Sequence, residues 1–149
     1  MRSVTRFATL LFATAALAAC EDKVPFSNVV TPIEPITSIA GTWNLQTLNG
    51  LTLPQPIGGG INLTASTLTL VAIDAATGTF TLSIVTDDGT GAVTSTATGN
   101  YTLAGTVLSL AITNPVGAPT ITGSFGGGNT LSLTLAQNGT NFTAVYARQ

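Results

Sequence analysis

The chain has 149 residues, enough for one domain with a core, and carries only four Lys plus Arg and six Asp plus Glu, with no His and one Cys. Without imidazole there is no Ser-His-Asp or Cys-His nucleophile pair, His metal site or His proton shuttle, and one Cys forbids an intrachain disulfide or thiolate zinc cluster. Four basic residues against six acidic ones cannot neutralise a run of phosphates, which argues against nucleic acid, while a 44% hydrophobic composition is that of a globular chain.

Residues 1–19 read as a signal peptide: Arg2 and Arg6 form a positive start, residues 7–17 are apolar, and Ala18 and Ala19 follow. The apolar run is too short to span a bilayer. Leu17-Ala18-Ala19-Cys20 resembles the lipobox of bacterial lipoproteins. That resemblance implies cleavage before Cys20 and acylation of Cys20, hence a lipid-anchored protein of the bacterial cell envelope with palmitate-type chains. Residues 20–38 follow as an extended tether, with Pro25, Pro32 and Pro35, four charges and no Gly. Glu21 and Asp22 stand where acidic residues bias sorting toward the inner membrane in some bacteria; the outer membrane remains the favoured location.

The domain is expected over 39–149. All sixteen glycines lie between Gly41 and Gly139, and Thr alternates with Leu, Ile, Val and aromatic residues at period 2. Phe80, Leu82 and Ile84 alternate in this way, as do Leu108, Leu110 and Ile112, and Leu131, Leu133 and Leu135. Turn residues break the runs at short intervals, predicting strands near 40–48, 62–73, 78–86, 91–103, 106–113, 118–126, 129–137 and 140–148. Connections this short permit an antiparallel meander. A Gly-x-aromatic unit recurs at Gly41-Thr42-Trp43, Gly78-Thr79-Phe80, Gly99-Asn100-Tyr101 and Gly123-Ser124-Phe125. In a coiled sheet such a Gly lets the strand bend while a nearby aromatic fills the space.

Between 39 and 149 only Asp74, Asp87, Asp88 and Arg148 are charged. An open sheet with so few charges would leave its edges unprotected, whereas closure removes them. The expected fold is therefore all-β: an eight-stranded antiparallel up-and-down barrel, with a β-sandwich as the alternative. The residues Gly41-Thr42-Trp43-Asn44-Leu45, Leu48-Asn49-Gly50, Thr79-Phe80, Gly99-Asn100-Tyr101-Thr102 and Tyr146-Ala147-Arg148 resemble the lipocalin-like domains of small bacterial lipoproteins. The resemblance implies that Trp43 closes the barrel floor and that Arg148 packs across it.

Two functions follow as expectations. One is a barrel that binds a small apolar ligand, with Phe80, Tyr101, Phe125 and Tyr146 in its interior and the 49–60 loop, through Leu51, Leu53 and Ile57, as a lid. The other is a barrel filled by its own side chains that serves as a structural or protein-interaction module of the envelope. No enzyme activity, cofactor or metal is expected, because adjacent Asp87 and Asp88 suit an Asp-Gly turn and Asp74 alone makes no calcium loop.

Overall fold

A computed structural model describes residues 38–137 and 139–149. The signal peptide, Cys20 and nearly all of the tether lie outside the described residues. Ten strands form one antiparallel sheet: β1 Gly41–Leu48, β2 Leu51–Thr52, β3 Gln55–Gly58, β4 Ile61–Ala72, β5 Thr77–Asp87, β6 Ala92–Ala104, β7 Val107–Asn114, β8 Ile121–Ser124, β9 Thr130–Gln137 and β10 Thr140–Arg148.

The sheet closes on itself through β1. Trp43 faces Arg148 of β10 across one edge and Leu68 of β4 across the other, so the first strand is hydrogen-bonded on both sides. Eight strands, β1 and β4 to β10, make the barrel wall, and neighbours in sequence are neighbours in space. The fold is the expected up-and-down barrel and not a sandwich.

The strands β2 and β3 were not anticipated. The 49–60 segment, read as a loop, is mostly sheet. β1 and β4 pair over four positions at one end, from Gly41↔Leu70 to Asn44↔Thr67, and then diverge. Into the resulting gap β2 pairs with the end of β1 and β3 with the start of β4. The Asn49-Gly50 dipeptide explains the first of these hairpins. Asn49 at φ 51° and Gly50 at φ 79° supply the two left-handed residues of a tight turn, and the Asn49 Oδ1 accepts the Thr143 N–H at 2.8 Å. The wall is thereby completed by backbone pairing, which satisfies polar groups that divergence would have left bare.

The repeated Gly-x-aromatic unit has a geometric cause. In the β5–β6 register Gly78 faces Tyr101 and Phe80 faces Gly99, so two antiparallel copies of the unit place each glycine beneath the other copy's ring. A Cβ on Gly99 would lie 2.0 Å from the Ala111 carbonyl oxygen and 2.8 Å from the Phe80 ring. One on Gly78 would lie 2.1 Å from the Val71 oxygen and 2.5 Å from Tyr101. The missing side chains let the wall curve inward and the aromatic rings cover the backbone.

The outer wall carries rows of hydroxyls. Thr69, Thr81 and Thr98 stand side by side across three strands, as do Thr67, Ser83 and Thr96 in the next row. Such cross-strand pairs suit β-branched hydroxyl residues and contribute roughly 0.2–1 kcal/mol each. Inside, Trp43, Leu68, Leu82, Tyr101, Leu108, Leu110, Leu133 and Tyr146 are fully buried.

Gly99→Ala is expected to destabilise the barrel by about 2–3 kcal/mol in urea unfolding, because backbone on β7 must move to admit the methyl group. Gly126→Ala is the control: a Cβ there meets nothing within 4 Å, and the change should stay within about 0.5 kcal/mol.

Candidate functional site

The two ends of the barrel differ. At the floor lie the start of β1, the turn carrying Asp74 and the end of β10; at the mouth lie the turn carrying Asp87 and Asp88 and the strands β2 and β3.

The floor is sealed around Trp43. Its ring meets Phe125 edge-on at a centroid separation of 5.7 Å, and the Arg148 guanidinium lies 4.6 Å from the ring centroid on its face. The indole Nε1 donates to the Ile39 carbonyl at 3.0 Å, and Arg148 donates from Nη2 to the Ser38 carbonyl. The chain therefore enters the barrel beneath its floor, pinned by the two residues that plug it. A cation held over an indole is worth about 0.5–2 kcal/mol, and more as the site is drier.

Above the floor the interior is solid. Phe80, Tyr101, Phe125 and Tyr146 are all buried there, and none of the four lines the cavity at the mouth. That cavity has a volume of about 420 Å³, within the range of small-molecule pockets. Its apolar lining includes Leu48, Ile57, Leu63, Ile84, Ile112 and Phe142; its polar lining is Ser66, Thr86, Ser95, Thr120 and Thr134. Among the described residues no charged side chain lines it.

On β6 the cavity is bordered by a small residue. The inward positions of that strand run from Tyr101 through Gly99, which the Phe80 ring covers, and Ala97 to Ser95, which lines the cavity opposite Ile84 of β5. Sequence reading finds the large inward residues of neighbouring strands and passes over this small-residue stretch. It also misses Leu48 and Leu63, because bulges at 45–47 and 63–65 shift the alternation by one residue. Ser66 keeps step with Leu68 and Leu70, but a serine in that register reads as an outward residue.

Of the expected lid residues, Leu51 is 59% exposed on β2, whereas Leu53 and Ile57 pack against the core and Ile57 lines the cavity. These residues belong to a filled seam in the wall and not to a free loop across the mouth.

Ser66, only 4% exposed, is the buried polar residue of the interior. Its hydroxyl donates to the Ser83 carbonyl at 2.9 Å and lies 2.9 Å from the Tyr146 hydroxyl. Burial pushes the Tyr146 phenol up to about 12, with the Ser66 hydrogen bond opposing the shift. Tyr101 differs, for its buried hydroxyl has no partner; burial and then the charge of Asp74 raise its pKa.

The acidic residues are engaged in turns. Asp74 accepts hydrogen bonds from the N–H of Ala76 and from the N–H and hydroxyl of Thr77, at 2.7–2.8 Å, which hold it below the ordinary 3.8. Asp88 is lowered in the same way by the hydroxyl and N–H of Thr90, and Asp87 accepts from the Gly89 N–H at 2.7 Å.

No family model and no curated protein matches the chain. Among solved structures it is similar to Japanin from Rhipicephalus appendiculatus in a cholesterol-bound crystal form, with TM-score 0.48 and 11% identity over 76% of this chain and 77% of that one. The molecule's own topology defines its class: a closed, eight-stranded up-and-down barrel, plugged at one end and hollow at the other.

Two measurements follow. Tyr146→Phe should cost about 1 kcal/mol, whereas Tyr101→Phe, which deletes an unpartnered hydroxyl, should leave stability unchanged or raise it by up to about 1 kcal/mol. For pH, the lowered carboxylates of Asp74 and Asp88 stabilise the fold above 3.8, and that contribution is lost as pH falls through their lower folded values. The raised phenol of Tyr146 stabilises below 10, and its contribution is lost as pH rises through about 12. Thermal melts should thus give a constant Tm across the neutral range, with losses only at the acid and alkaline extremes; a step near neutrality would contradict this assignment.

Proposed function

We propose that this chain is a lipid-anchored lipoprotein of the bacterial cell envelope whose barrel holds a small apolar ligand. The observation that carries the ligand reading is the cavity of about 420 Å³ at the mouth, uncharged, mostly apolar and backed by a solid floor. A solid floor excludes water from below, so the transfer of apolar surface from water into the cup is the main driving term. The competing reading, a barrel filled by its own side chains, fits the floor half alone.

The anchor rests on Leu17-Ala18-Ala19-Cys20, and the outer membrane is preferred over the inner. Ser38 meets the barrel at the floor, so the chain that leads back to Cys20 does not start at the ligand's opening. Binding and not catalysis is the proposed activity, since the carboxylates of Asp74, Asp87 and Asp88 are each committed to a turn.

A neutral solvatochromic dye such as Nile red should bind saturably with a Kd in the micromolar range. Ile57→Trp, which fills the cavity from its rim, should weaken that binding at least tenfold while leaving Tm nearly unchanged; a dye that never saturates would remove the proposal. For the anchor, Cys20→Ser should move the protein from the membrane fraction to the soluble fraction, and a wild-type protein found soluble would overturn it.

A further inference from the structure

The cavity lining carries the hydroxyls of Thr86, Ser95, Thr120 and Thr134, and that of Ser66, whose buried pair with Tyr146 differs from them in having no free proton. Ser66 is buried, lines the cavity and has one hydroxyl hydrogen, which it gives to the Ser83 carbonyl. Its contact with Tyr146 at 2.9 Å must then run the other way, with the phenol donating to the Ser66 oxygen. Tyr146 keeps that proton at every ordinary pH, being held up to about 12. Both hydrogens of the pair are spent, and Ser66, which lines the cavity, keeps an unused lone pair on its oxygen.

Electrostatics at the rim acts in the same direction. The turn at the mouth carries Asp87 and Asp88, while the described cation, Arg148, stacks on Trp43 at the opposite end. An anion entering the cup would pass two carboxylates, lose its hydration, and reach an oxygen that repels it.

Building on the ligand reading above, we infer that the cavity selects neutral apolar alcohols, inserted with the hydroxyl toward Ser66, and rejects carboxylates of the same chain length. The alcohol donates its proton to the Ser66 oxygen and buries its chain against Ile84, Ile112 and Phe142. An ether of equal length has no proton to give, and a carboxylate offers only acceptors.

The test is displacement of Nile red by decanol, decyl methyl ether and decanoate from wild type, Ser66→Ala and Tyr146→Phe. In wild type, with each affinity referred to the ligand's own transfer from water to alkane, decanol should bind roughly fivefold or more tighter than the ether. Decanoate should fail to compete at neutral pH and begin to compete as pH falls through the carboxylate range, about 4, where it gains a proton. Ser66→Ala should abolish the roughly fivefold preference for decanol over the ether, because the acceptor is gone and the freed Tyr146 proton serves either oxygen. Tyr146→Phe should keep the alcohol preference, since Ser66 still gives its proton to Ser83. Equal referred affinities for alcohol and ether in wild type, or decanoate competing as well as decanol at neutral pH, would overturn the selectivity while leaving the ligand reading intact. Failure of Nile red itself to bind would remove both.

Discussion

Everything in this structure depends on β1 being hydrogen-bonded along both edges at Trp43. One residue faces Arg148 on the last strand and Leu68 on the second long strand, and this turns a meander into a barrel. The same side chain then serves as the floor: its ring packs on Phe125 and under Arg148, and its Nε1 fixes the incoming chain at Ile39. Closure and plugging are thus one event. A sheet with four charges in its domain could not protect free edges by charge, and joining the edges removes the need for that protection.

Below its mouth the barrel behaves as a packed core. Rings of Phe80 and Tyr101 lie over glycines on the adjoining strand, and leucines from five strands fill the centre. Toward the mouth the same alternation continues with smaller inward residues on β6, and packing gives way to space. The ligand cup is thus a local departure from the rule that interiors are filled, bounded below by the tightest part of the molecule. At that boundary the Ser66–Tyr146 pair sets a polar point in an apolar surface, and it sets its polarity too, because the proton count of two hydroxyls leaves only an acceptor.

The strand runs and their antiparallel order were legible in the sequence, whereas the floor pair Trp43 and Arg148 was implied only by the resemblance to lipocalin-like domains. Alternation of Leu with Thr and Ser reports strand faces directly, and short Gly- and Asn-containing breaks report hairpins. The 49–60 segment was not legible. Its strands are two and four residues long and contain Pro54, Pro56 and three glycines, so no period can be established; they form because β1 and β4 diverge and leave unpaired backbone. The cavity was likewise hidden, since a small residue such as Ser95 borders empty volume only when the residues facing it are known.

The sequence by itself determined the fold class and the closed topology favoured by scarce charge, because these follow from local periodicity and composition. Tertiary structure alone decided that the interior is half solid and half hollow, and that Leu48, Leu63 and Ser66 face the hollow. The reason is physical. Two bulges reverse the side-chain alternation, and the presence of a void is a property of several strands at one height that no single strand encodes.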